Sequence, residues 1–469
     1  MPRIRSQRRF GSQSAQHKTE APVRPENPAG VSHPNAVADL VRNIFSALLM
    51  VLALTLWVGP AMANTLQDMI DAAPDGAEIV PPAGVYTEQI VLTRPITIDG
   101  REGVVIDGGG IGTIVTIETD GVTLKNLKLQ NSGRLHNKID AGLRINGSFN
   151  AIRDVTIENA LFGIDMNQAN NNVIRRVHIS SKDMSMGLRG DSMRIYYSNN
   201  NKVEDSEIGD ARDIVIWYSE GNIFRRNKIS DSRYGIHFMY AHKNIVEDNE
   251  ISDCVVGVFL MYANNTTVRN NQILRAWGAS GVGVGFKESS GAQIDSNNIV
   301  GNATGIYLDP SPWDPDMDNY FTDNVIAYNG IGIEFHTDWT GNHFQRNAMM
   351  SNFTQVSVRG RGTALREGWE GNYWDDYAGF DKDADARGDV PYEIYNYADR
   401  IWMEVPDASF FRGGLALAAL DFVERLAPFS EPRLLVREQV PMMDKSSGQI
   451  LAEAEEDAQP KSALEMLMQ

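Results

Sequence analysis

The sequence predicts an all-β chain folded as a single-stranded right-handed parallel β-helix, a solenoid with coils of about 22 residues, ending in a C-terminal helix and an extended tail. Three observations lead there. One phrase recurs along most of the chain: Asn222-Ile223-Phe224-Arg225-Arg226-Asn227-Lys228-Ile229-Ser230 realigns with Asn244-Ile245-Val246-Glu247-Asp248-Asn249-Glu250-Ile251-Ser252. Related phrases begin near Asn150, Asn172, Asn201, Thr266, Ala292, Asn319 and Asn342, and less regular ones near Thr97 and Gly121. Apolar residues alternate at period two inside each phrase, and Asn and Gly fill the bends. That period excludes the helical repeats, the missing Leu frame excludes leucine-rich repeats, and the coil is too short for a propeller blade. The Asn residues are expected to stack at equivalent bends of successive coils and bond backbone there.

Taken in order, residues 1–63 read as a signal peptide. An apolar run from Ile44 to Val58 follows Arg42 and ends in Ala61-Met62-Ala63, the small-x-small pattern of a cleavage site. Residues 64–413 are the β-helix with an end cap. Its expected coil anchors are Ile152, Val173, Val203, Ile223, Ile245, Val268, Ile294, Phe321 and Phe344. Two long intervals interrupt them. One holds Ser132 to Asp140 with His136, and the other holds His178, Met184, Met186 and Met193. Insertions in a solenoid loop out of the stack, where function concentrates. The repeat dissolves after Arg359 into a cap around Trp374. Residues 414–443 form a docking segment: a helix from Gly414 to Leu426, with Leu417, Leu420, Val423 and Leu426 on one stripe, then a Pro-rich stretch ending in Pro441, Met442 and Met443. Residues 444–469 are an acidic tail poor in structure signals.

The chain has 469 residues, 42% of them hydrophobic and 22% charged, which suits a folded protein rather than a disordered one. Its formal charge of -18 argues against a nucleic-acid partner. Without the leader, with seven basic and three acidic residues, the remainder stands at -22. Export and a single cysteine, Cys254, exclude an intrachain disulfide and Cys-rich metal chemistry. A soft-metal site would have to use Met and His.

Strand alternation places His237 and Met239 on the outer face, with Ile236 and Phe238 inside, and likewise Phe259 and Met261 outside. The outward column then reads Tyr196, Trp217, Met239, Met261, Lys287, Asp309 and His336, beside a stack of Tyr197, Tyr218, Tyr240 and Tyr262. Two thioethers one rung apart beside an imidazole suit Cu(I), held transiently, because thioether sulfur needs no deprotonation to bind. Met184 and Met186, in an inserted loop, are further soft candidates. The competing reading is plain packing under a loop or the tail. Asp381, Asp383 and Asp385, with Asp389 nearby, have the spacing of a Ca2+ loop. Ala386 stands where such loops use Gly, and no Glu follows at the usual distance, so a solvated acidic turn is expected instead. Polysaccharide cleavage would need paired carboxylates or a Ca2+ site with a basic partner. Neither is evident, so no enzyme is expected. A carbohydrate-binding or polysaccharide-degrading β-helix using Tyr196 and Trp217 as platforms, and a metal-free scaffold, stay open as alternatives.

Three phrases resemble those of the periplasmic copper-binding β-helix family: Gly235-Ile236-His237-Phe238-Met239-Tyr240, Gly257-Val258-Phe259-Leu260-Met261-Tyr262 and Gly371-Asn372-Tyr373-Trp374-Asp375-Asp376-Tyr377. The ending from Leu415 to Met443 is also similar. The resemblance implies a periplasmic accessory protein in maturation of the copper-sulfur centre of nitrous oxide reductase. It implies as partners an ABC transporter permease and ATPase, a membrane-anchored copper chaperone and the reductase itself, with membrane contact only through the transporter. His237, Met239 and Met261 match the family phrases.

Overall fold

In the computed structural model the described residues are 65–397, 399–411, 414–427 and 431–444. The expected signal peptide, residues 1–63, and residues 445–469 of the expected tail lie outside them. The chain from residue 65 is a parallel β-solenoid of about 13 turns. A 22-stranded sheet and a 12-stranded sheet run along it, and each strand pairs in parallel with its counterpart one coil later. Among the described residues no helix is long and apolar enough to cross a membrane.

The core follows from the alternation. In the 22-stranded sheet Ile152, Ile174, Val203, Phe224, Val246, Val268, Ile294, Phe321 and Phe344 stand in register and are buried. Three expected anchors are therefore off by one. Val173, Ile223 and Ile245 face outward, and their neighbours Ile174, Phe224 and Val246 face in. Two adjacent apolar residues leave period two undecided. The buried Asn immediately before each pair settles it, because its side chain must point inward to reach the next coil.

Those Asn side chains form ladders. Asn201 Oδ1 accepts the Asn172 N–H at 2.9 Å, Asn222 Oδ1 accepts the Asn201 N–H at 2.9 Å, and Asn244 Oδ1 accepts the Asn222 N–H at 2.9 Å. A second ladder runs from Ser206 through Asn227, Asn249, Asn271, Asn297, Asn324 and Asn347 to Asn372. Each rung satisfies backbone donors that the bend would otherwise bury unpaired.

The second ladder ends on a buried carboxylate, and so does the first column, which is broken at Thr266 and Ala292 and resumes at Asn319. Glu367 accepts the Asn342 N–H at 2.9 Å, and Glu438 accepts the Asn372 N–H at 2.7 Å and the Trp374 Nε1–H at 2.6 Å. Burial pushes each carboxyl up to about 7, against the hydrogen bonds that pull it down. With native values above the unfolded one, the folded state holds extra protons between about pH 4.5 and about pH 7. Their stabilisation is full below that window and lost as pH rises through it. In urea unfolding at a series of pH values, Glu438→Gln is expected to remove about half of what these two carboxyls contribute to the slope and Glu367→Gln/Glu438→Gln all of it, leaving the contributions of Asp191 and His237. An unchanged slope in the double variant would contradict the assignment.

Glu438 ends the strand Arg433–Glu438, which pairs antiparallel with Tyr392–Asn396. Beyond it the chain folds back on its own cap. The Met442 N–H reaches Asn372 O at 2.9 Å, the Met443 N–H reaches Ala386 O at 2.9 Å, and Pro441 O accepts from Gly388. Pro441 is buried and Met442 and Met443 are half-buried. The three residues expected to meet a partner therefore occupy the edge of this chain's own last coil.

The C-terminal helix spans Leu415–Leu426, as expected, but its open face is different. Leu417 packs on the core, Leu420 is half-buried, and Glu424 is buried and paired with Arg400 at 2.8 Å. Steps of three residues drift around a helix of 3.6 per turn, so Leu417, Leu420, Val423 and Leu426 cannot share one face. The solvent-facing stripe is Leu415, Ala419, Phe422 and Leu426, flanked by Val423. A helix at the other end, Leu66–Ala72, has no counterpart in the sequence reading. Its Thr65–Asp68 capping box starts it, and its two buried residues, Leu66 and Ile70, join the core.

Candidate functional site

The outer face of the 12-stranded sheet carries the residues singled out by the alternation. Trp217, Met239, Met261, Lys287 and Asp309 are register partners on successive strands, and Tyr196 precedes them. His336 closes the column through a 2.7 Å bond from Nδ1 to Asp309, which also pairs with Lys287 at 3.5 Å. Successive rungs lie about 4.8 Å apart, so the Met239 and Met261 side chains are neighbours. Both are half-buried.

A parallel column holds Val215, His237, Phe259, Gly285 and Tyr307. His237 belongs to the outer face, as expected, yet is only 7% exposed. Tyr234 stacks on its ring at 4.4 Å, and Phe259 meets it edge-on at 5.7 Å. Phe259 can lie over the sheet because Gly285 is beside it: a Cβ there would sit 2.4 Å from the Phe259 ring. Burial therefore pulls the His237 imidazole down to about 4, with Asp213 opposing and Arg233 assisting, so the ring is neutral at neutral pH. Its Nε2 is buried without a hydrogen-bond partner among the described residues, as is Trp217 Nε1. The unpartnered imidazole nitrogen belongs to the column next to that of the two thioethers, so one outer face carries all three soft donors. Tyr234, which shields the imidazole, was missed in the sequence: it lies on the inner-outer boundary next to Gly235, where strict alternation gives no direction.

The tyrosine stack is present. Ring centroids of Tyr197, Tyr218, Tyr240 and Tyr262 follow at 5.1, 5.3 and 4.6 Å, and all four residues have φ between 47° and 52°. Trp217 stacks on Tyr218 at 5.8 Å and Tyr196 meets Trp217 edge-on. These rings pack against one another, which leaves less open face for a sugar than the carbohydrate alternative would want. Cys254 is buried, and burial pushes its thiol up to about 12, so it offers no thiolate.

Met184 and Met186 stand elsewhere. They lie in the loop that enters the strand Met193–Tyr196, whereas Met239 and Met261 end their strands. Two rungs separate the coils, about 10 Å along the axis alone. The fold does not bring the two Met pairs together. Met193 is in the core, and His178 lies on the other sheet near Glu207. The carboxylates of Asp381, Asp383 and Asp385 can approach within 4.8 Å of one another. Asp381 already accepts N–H bonds from Ala384 at 2.6 Å and Ala386 at 2.8 Å, the pattern of a self-bonded acidic turn.

Comparison with known proteins agrees with this architecture. Residues 176–379 match the family described as periplasmic copper-binding protein (NosD). A protein of Pseudomonas aeruginosa named "probable ABC transporter binding protein NosD" is 26% identical over 400 residues, covering 74% of this chain and 83% of that protein. A protein of the same name from Stutzerimonas stutzeri is 28% identical over 140 residues, covering 29% of this chain and 32% of its own. Among solved structures, the A-module of the mannuronan C-5 epimerase AlgE6 from Azotobacter vinelandii superposes with a TM-score of 0.52 at 17% identity, over 65% of this chain and 92% of that one. That likeness is one of fold.

Proposed function

On the premise that the chain is a NosD-like β-helix protein, we propose that it is a non-enzymatic periplasmic accessory factor in maturation of the copper-sulfur centre of nitrous oxide reductase, relaying Cu(I) while docked on an ABC transporter. The cargo site of this reading is His237, Met239 and Met261. The observation that carries it is the His237 Nε2: buried, neutral, unpartnered, and two residues from a thioether that faces a second thioether on the next strand. Thioethers suit a relay because the ion can leave by ligand exchange with no proton taken up. The family description and the relatives' printed names support copper and an ABC transporter as partners in this role. A membrane-anchored chaperone is the expected donor and the reductase the expected recipient.

The site makes a pH prediction. With the imidazole held neutral down to about pH 4, Cu(I) affinity in competition with a chelator is expected to stay flat from about pH 8 to about pH 5. A tenfold fall centred near pH 6.5 would mean an ordinary exposed histidine and would contradict the proposed cargo site.

Docking is assigned to the helix stripe. Leu415 is 91% exposed, Phe422 63% and Leu426 72%, an apolar face with no cover among the described residues. A permease surface is its fitting occupant in a protein of this family. Leu415→Glu/Phe422→Glu/Leu426→Glu is expected to abolish co-purification with the transporter and leave the unfolding midpoint of the isolated chain unchanged. Intact co-purification would remove the helix from the docking surface.

A further inference from the structure

The two insertions that interrupt the repeat meet at one corner of the solenoid. His136 opens a short 3-10 turn, His136–Lys138, in the first insertion, and Met186 opens another, Met186–Leu188, in the second. His136 Nε2 lies 3.0 Å from the carbonyl oxygen of Leu188. A carbonyl only accepts, so this bond puts the proton on Nε2 and leaves the lone pair on Nδ1. A backbone carbonyl orienting a histidine through one nitrogen while the other stays open is the outer-shell arrangement of metal-ligating histidines.

The two methionines flank this contact, Met184 on the apolar patch under it and Met186 on the turn that makes it. The His136 ring meets Phe162 edge-on at 5.8 Å, and Met184 packs on the cluster of Ala141, Leu161 and Phe162. Arg189 Nε donates to Met184 O at 2.7 Å and so ties the loop back on itself. Met186 sits on the turn whose Leu188 carbonyl holds His136. Both methionines are half-buried and His136 is exposed, which makes this corner open to an incoming carrier. The His237 site, by contrast, is shielded by Tyr234 and Phe259.

We propose that this corner is a second soft-metal site, in which His136 Nδ1, Met184 and Met186 take up Cu(I) at an accessible position separate from His237, Met239 and Met261. The inference rests on the copper reading above and deepens it: one chain would carry an open acceptor site and a shielded holding site on the same sheet. An imidazole and two thioethers are neutral soft donors that favour Cu(I) over hard divalent ions.

The test is Cu(I) titration of the full-length chain against a competing chelator, repeated with Ag(I) as a redox-inert probe. Met184→Leu/Met186→Leu keeps volume and apolarity while removing both sulfurs. It is expected to lose one equivalent of tightly bound metal, and Met239→Leu/Met261→Leu a different one. In 15N spectra, His136 Nδ1 is expected to shift on loading while Nε2 stays protonated. Retention of all bound metal by Met184→Leu/Met186→Leu, with every equivalent lost in Met239→Leu/Met261→Leu, would overturn the second site and leave the relay reading standing. The reverse pattern would support the corner and overturn the His237 site. Absence of any tight binding would overturn both.

Discussion

Replacing Asn297 by Ala is expected to lower the unfolding free energy by about 3–5 kcal/mol. Asn297 is fully buried and occupies a middle rung. Its Oδ1 accepts the Asn271 N–H at 3.0 Å and Asn271 Nδ2 at 2.9 Å, and its Nδ2 donates to Val268 O at 2.8 Å and Asn324 Oδ1 at 3.0 Å. Truncation orphans several groups at once in a place water cannot reach, each at about 1–3 kcal/mol. The loss should not stay local. Each coil is stabilised by its neighbours, so opening one bend weakens the coils on both sides. Urea unfolding of Asn297→Ala beside Asn137→Ala, an exposed residue of the His136–Lys138 turn, checks this. A difference under about 0.5 kcal/mol would mean that the ladders are ornament on a stack held by apolar contacts alone.

Met239→Leu/Met261→Leu is expected to weaken Cu(I) binding at the shielded site by at least about 100-fold. Outer-shell changes alone cost roughly 10–100-fold in metal affinity, and this variant removes two of the three proposed ligands. Leucine fills nearly the same volume, so the half-buried outer face should keep its packing and the chain its unfolding midpoint. His237→Gln should show a comparable loss for a different reason: the amide keeps polarity but offers no imidazole nitrogen in the pocket between Tyr234 and Phe259. Loss of affinity in both variants without loss of stability would separate ligation from packing.

Much of this was legible beforehand. The period named the solenoid, and the phrase Gly-x-x-x-Met-Tyr on two successive coils put Met239 beside Met261 correctly, because one-coil pairing is rigid. Local alternation was less informative wherever two neighbours were both apolar, as at Ile223 and Phe224. There the inward Asn before the pair decides, and its direction is set by the bond it makes to the next coil. The burial of His237 was not readable either, since it depends on Tyr234 folding over the ring and on Gly285 making room for Phe259. At the C-terminus, the seating of Pro441 to Met443 on the edge near Asn372 was not readable, because that edge lies some 70 residues earlier in the chain.

The most direct test of the account is X-ray absorption at the copper edge on the full-length chain in which Met184→Leu/Met186→Leu leaves only the His237 site, loaded with a single equivalent of Cu(I). The expected result is a first shell of sulfur and one imidazole nitrogen, with loss of its sulfur component when Met239 and Met261 are also changed to Leu. A shell of nitrogen and oxygen only, or a sulfur shell untouched by that change, would contradict it.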